Sequence, residues 1–343
     1  MITLTKNFFC FSYKNKYFLI ALIIISIASC EGPAGPAGKD ANENCSQCHN
    51  SGSAIYSRQI QLSASVHQTG GNFSHNSSDC APCHTNEGFI ERINTGATTS
   101  SVPSNPSPIG CRTCHKIHEK FDSSDYELRS ISKVKLWLND KEIDFGTGNL
   151  CINCHQPRKV NPMPQIGGGT VNITSKYWGL HHSTQGTIFA GTGGFEISGS
   201  KKYQNSEHQS SIKNSCVTCH MAPPYGAMAG GHTMNMTYDY YGTKTLNTSG
   251  CISCHSDTKT LLSETAAVEN DIDTLLTALG KELVIKGIIT NAGSLKTPQT
   301  LSPELAGIYL NYSMILEDKS HGIHNYKYVK ALLINSLEYI RSN

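Results

Sequence analysis

The chain has 343 residues, of which 38% are hydrophobic and 8% aromatic, so an ordinary apolar core would be modest for this length and something else must help to fill it. Its formal charge of +2 offers no basic patch for nucleic acid. Cysteine is the anomaly: of 14 residues, 12 fall into six Cys-x-x-Cys pairs, each followed at once by histidine, which leaves Cys10 and Cys30.

At the amino terminus, Lys6, Lys14 and Lys16 precede an apolar run at 18–27, which meets Ala28 and Ser29 before Cys30. This reads as a lipoprotein signal peptide over residues 1–29. The run is about ten residues, against roughly 20 for a membrane-spanning helix, so a retained transmembrane anchor is the weaker reading. Ile27-Ala28-Ser29-Cys30 resembles a bacterial lipobox, which implies cleavage before Cys30 and acylation of its thiol. Cys10 then leaves with the signal, and the loss of three lysines and no acidic residue takes the formal charge from +2 to −1. The expectation is an exported, lipid-anchored protein on the periplasmic face or cell surface, at the outer membrane. Residues 30–44 contain three collagen-like triplets, too few for a triple helix, and read as a stiff Gly/Pro tether.

Residues 45–256 hold the six motifs: Cys45-Cys48-His49, Cys80-Cys83-His84, Cys111-Cys114-His115, Cys151-Cys154-His155, Cys216-Cys219-His220 and Cys251-Cys254-His255. On a helical turn, positions i, i+3 and i+4 project from one face. Two thiols can therefore add to haem vinyl groups while the adjacent histidine reaches the iron. Structural zinc would need sets of four ligands, and a redox dithiol would not need the trailing histidine. The cofactor reading is six covalently bound haem c groups. A ferric haem with its propionates and neutral axial ligands carries about one net negative charge, so the loaded protein is expected to be mildly acidic.

No pattern beyond the motif recurs between the motifs, which favours repeated haem attachment over a solenoid. The intervening Gly, Ser, Asn and Thr predict loops and short helical turns. Residues 134–145 are the exception: VKLWL and KEIDF flank Asn139-Asp140, and their alternation predicts a small β-hairpin. Asp122, Asp125 and Glu127 read as a solvated loop.

Residues 257–343 contain no cysteine and are apolar at helical spacing over 266–289, 303–316 and 326–340, which predicts two or three helices packing on the haem region. Ser302, Pro303 and Glu304 form a strong start signal for the second.

Nine histidines lie outside the motifs: His67, His75, His118, His181, His182, His208, His232, His321 and His324. Six distal ligands can thus be supplied without methionine, and imidazole on both faces of each iron suits electron transfer rather than substrate binding. The contexts WGLHHSTQGTIFAGTGGFE at 178–196, NSEH at 205–208, the CHM that contains His220, the GGHT that contains His232 and SHGIHN at 320–325 resemble those of the multihaem cytochrome superfamily. That group includes cytochrome c nitrite reductase, hydroxylamine oxidoreductase and tetrahaem electron carriers. The resemblance covers most of 45–343 and implies distal roles for His67, His118, His208, His232 and His324, with one of His181 and His182, of which His181 is favoured. His118, three residues after His115, would face away from that iron on a continuing helix and serve another haem.

The chain departs from nitrite reductase, whose catalytic motif ends in lysine; no Cys-x-x-Cys-Lys occurs here. No catalytic residues are assigned. The expected fold is mostly α and irregular, a multihaem cytochrome c fold organised around stacked haems, with the hairpin and the carboxy-terminal helices. The expected function is electron transfer to redox protein partners or a terminal acceptor. Two alternatives are a reductase of a nitrogen or sulfur oxyanion with one five-coordinate haem, and a subunit of a conductive filament.

Overall fold

Helix signals dominate the regular structure, and they begin with short caps. The computed structural model describes His49 and residues 54–343 apart from Gly71. The expected signal peptide (1–29), the tether (30–44), Cys30, Cys45 and Cys48 lie outside the described residues. Helix α1 is Ala54–Ser63 and α2 is Asn86–Thr95. Thr85 caps α2 by accepting a hydrogen bond from the Gly88 N–H at 3.0 Å, and Gly96 closes it in the left-handed conformation.

The carboxy-terminal section forms three helices: α3 Thr258–Ile285, α4 Pro303–Asp318 and α5 Tyr326–Ser342. Helix α3 starts eight residues before the apolar periodicity does, because the Asp257 carboxylate accepts from the Lys259 N–H and from the Thr260 hydroxyl. It ends before the predicted limit, since Gly287 at φ +72° turns the chain and Ile288 and Ile289 are buried beyond the helix. Ser302 caps α4 with proline at the first position, as its sequence indicates.

These helices bury Ile272, Leu279, Leu283, Ile308, Met314, Val329 and Leu332 against residues 138–197 in one apolar cluster. Each such side chain contributes about 1.5–3 kcal/mol of burial. The described residues from 54 onward fall in a single unit. Gly194 in the loop and Gly307 on α4 make this packing close: a Cβ at Gly194 would lie 2.6 Å from Leu332, and one at Gly307 would strike the Phe195 ring.

Strands are short and come in twos. The predicted hairpin is present but reduced to β1 Val134–Lys135 and β2 Glu142–Ile143, with Val134 opposite Ile143. Two further antiparallel pairs were not predicted. One joins β3 Val171–Ile173 to β6 Gln299–Leu301; the other joins β4 Thr237–Tyr240 to β5 Thr243–Leu246. In the second, Tyr241 at φ +49° and Gly242 at φ +83° make the tight turn.

Candidate haem sites

The motif turns repeat one backbone device. The N–H of the motif histidine donates to the carbonyl of the first cysteine four residues earlier: His84 to Cys80 at 3.1 Å, His115 to Cys111, His155 to Cys151 and His255 to Cys251, each at 2.9 Å. The fifth motif lies in the helical turn Cys216–His220. This single α-turn puts both thiols and the imidazole on one side, as two thioether bonds and one iron bond require. The ten described motif cysteines are all free of disulfides.

Facing five of the motif histidines is a second imidazole. Ring centres are 6.0 Å apart for His155 and His67, and 6.2 Å apart for His84 and His181, His115 and His232, His255 and His208, and His220 and His324. Two nitrogens each about 2 Å from one metal atom, with ring centres roughly 1 Å further back, give about 6 Å between centres. The spacing therefore admits one iron between each pair. His75 lies closer to His84, at 5.3 Å, and His182 lies 5.2 Å from His181. The His182 Nδ1–H donates to the Glu317 carboxylate, and the His321 Nδ1–H to that of Asp273.

Hydrogen bonds fix which nitrogen is left for the metal. A carbonyl only accepts, so Nδ1–H donates from His115 to Tyr126 O at 2.7 Å, from His220 to Met234 O at 2.9 Å and from His208 to Ile323 O at 3.2 Å. His155 Nδ1 meets the Gln185 amide oxygen at 3.1 Å, while the amide nitrogen of Gln185 donates to the Glu317 and Asp318 carbonyls at the end of α4. His67 Nδ1 meets the Ser65 hydroxyl. With Nδ1 protonated and engaged, Nε2 keeps its lone pair for iron.

Electrostatics agree with neutral ligands. Burial, with His155 and His220 nearby, lowers His67 to about 4. Burial likewise lowers His84, His155, His181, His220 and His232. His324 differs: burial opposes its charge, but the Asp318 carboxylate outweighs burial and raises it.

The motifs also meet each other. The Cys83 thiol contacts that of Cys154, the Cys151 thiol contacts that of Cys216, and Cys219 is within electrostatic reach of Cys251 and Cys254. Pro82 O lies 4.0 Å from Cys154 Sγ, and a Cβ at Gly250 would lie 3.0 Å from the Cys219 Cα. Cys114 reaches both Cys151 and Cys154 electrostatically. The hairpin holds the central motif: Ile152, between its cysteines, packs with Val134, Leu136, Phe145 and Phe189.

His118 is not on a continuing helix. The turn at Cys111–Cys114 ends, and His118 sits at φ +65° with its ring stacked on Phe121, because the Asp125 carboxylate accepts from the N–H groups of His118, Lys120 and Phe121. Asp125 is thus a buried organiser and not a solvated loop residue. Sequence reasoning also missed Arg92, a buried guanidinium that bonds to Asn153 and lies 4.4 Å over Trp137, and it missed Asp318. No local pattern marks either.

Among the described residues no three or more His, Cys, Asp or Glu gather as a zinc site needs. Helical thiol turns with paired imidazoles and little sheet define a class, the multihaem c-type cytochromes, and the fold is of that class. The chain is 25% identical over 352 residues to the C-type polyheme cytochrome OmcC of Geobacter sulfurreducens, a match over 86% of this chain and 42% of that protein. The crystal structure of the outer cell wall cytochrome OcwA superposes with a TM-score of 0.53 at 19% identity, covering 82% of this chain and 50% of that one. The chain thus spans half or less of the length of these two proteins. No family model matches it.

Proposed function

We propose that the chain is a lipid-anchored, six-haem c-type cytochrome that transfers electrons to redox protein partners or a terminal acceptor at the cell exterior. The observation that carries this reading is the set of five histidine pairs, each with one motif histidine and a ring separation of 6.0–6.2 Å. Bound haem supplies reversible one-electron chemistry. The chain holds it through Cys80, Cys83, Cys111, Cys114, Cys151, Cys154, Cys216, Cys219, Cys251 and Cys254, with Cys45, Cys48 and His49 as the sixth attachment. His67, His181, His208, His232 and His324 serve as distal ligands opposite His155, His84, His255, His115 and His220, and His118 is the remaining distal ligand. The thiol contacts between motifs support closely spaced centres, as electron transfer needs. The names of OmcC and OcwA support the multihaem and exterior parts of the reading. The relationship to the nitrite reductase superfamily rests on the distal-ligand contexts in the sequence.

Haem quantification with intact-mass measurement of the exported protein is expected to give six haems per chain; fewer than six would contradict the reading. Cys30→Ser is expected to move the protein from the membrane fraction to the soluble fraction. Continued pelleting with membranes would remove the lipid anchor from the account.

A further inference from the structure

The distal histidines differ in what holds their Nδ1. His208 has a peptide carbonyl and His67 a hydroxyl, while the buried His232 Nδ1 has no hydrogen-bond partner. At His324 the partner is a carboxylate, Asp318 Oδ1, at 2.7 Å. Among the described members of the five pairs, no other Nδ1 meets a carboxylate.

The backbone builds this contact deliberately. Helix α4 ends at Asp318, and Lys319 at φ +57°, His321 at φ +50° and Gly322 at φ +93° reverse the chain so that His324 returns over the helix end before α5 begins. A Cβ at Gly322 would lie 2.6 Å from Ile272, so the turn admits glycine alone there on both grounds. Ser320 clamps both partners: its hydroxyl donates to the second Asp318 oxygen and accepts from the His324 N–H at 3.2 Å. The Asp318 side chain is 2% exposed, so its charge is shielded little by solvent.

We propose that Asp318 is a positioning residue that gives the haem held by Cys216, Cys219, His220 and His324 the lowest midpoint potential among the five described histidine pairs. A carboxylate accepting Nδ1–H gives the imidazole imidazolate character, which strengthens its donation to iron. The buried negative charge also favours the ferric state. Both effects act in the same direction. The motif concerned touches the Cys151 motif through Cys216 and approaches the Cys251 motif through Cys219, so the low potential falls inside the array of motifs.

The inference rests on the bis-histidine haem reading, and one set of samples tests the two separately. Haem content and spin state of the unaltered protein test the reading. Spectroelectrochemical titration of Asp318→Asn, with its six haems retained, tests the inference: one wave at the low-potential end should move positive, the others should hold, and one low-spin ferric resonance should shift. Ser320→Ala leaves the carboxylate without its hydroxyl donor, so more of its negative charge bears on His324 and the same wave should move negative. Opposite shifts cannot come from loosened packing alone. Unmoved waves in Asp318→Asn, or shifts of the same sign in both variants, overturn the inference while leaving the haem count intact.

Discussion

Replacing His67 with alanine is expected to convert one haem in six from low-spin to high-spin ferric. His67 sits opposite His155 at 6.0 Å, at the start of the short helix Val66–Thr69 that Ser65 caps. Its removal deletes one imidazole and little packing, while His155 stays anchored to Gln185. The opened position should take up added imidazole and return to low spin, and the absorbance change should correspond to one haem. The same substitution separates candidates at the crowded His84 site. His181→Ala should open that iron as well, whereas His75→Ala should leave every haem low-spin, because its 5.3 Å separation from His84 is too short to hold an iron between two nitrogens, and so should His182→Ala, whose ring meets His181 and the Glu317 carboxylate. A low-spin spectrum for His67→Ala would remove His67 from the ligand set.

The second large effect falls on stability. Asn311 on α4 is fully buried; its Oδ1 accepts from the Phe195 N–H at 2.7 Å, and its Nδ2 donates to the Phe195 carbonyl at 2.9 Å and to the Ser336 hydroxyl at 3.1 Å. It therefore pins the loop after Gly194 between α4 and α5. Asn311→Ala leaves the Phe195 N–H and carbonyl buried without partners and opens a cavity, a loss of about 3 kcal/mol. At about 2–4 °C per kcal/mol for a protein of this size, the melting midpoint should fall by about 6–12 °C. Ser336→Ala, which deletes one of the three bonds, should cost about 1 kcal/mol. Equal losses in the two variants would show that the Phe195 bonds contribute nothing.

The parts of the site that repeat or cap locally were legible in the sequence. Each described Cys-x-x-Cys-His run forms its own α-turn, and Ser302-Pro303-Glu304 dictates the start of α4, because the groups that satisfy the backbone are within four residues. The hairpin at β1 and β2 was legible from alternation, though only two residue pairs remain on the ladder, since the Trp137 N–H turns away to the Gln156 side chain. Contacts formed across long separations were not legible. The β3–β6 pair joins residues about 130 apart, with Val171 opposite Leu301, and neither segment announces a partner. The meeting of His67 with His155, or of His208 with His255, depends on the same long-range packing. So do the roles of Asp125 and Asp318, whose surroundings in sequence look like ordinary polar loop and helix end. The start of α3 was missed for a different reason: its first turns are capped by Asp257 and mostly exposed, so apolar periodicity is silent there.

Electron paramagnetic resonance of the purified, oxidised protein, calibrated against six haems per chain, tests the central claim most directly. Imidazole on both faces of every iron predicts six low-spin ferric centres, with no high-spin signal and no spectral response to nitrite, hydroxylamine or sulfite. One high-spin centre that binds any of these in the unaltered protein would contradict the electron-carrier account and assign the chain a reductase site.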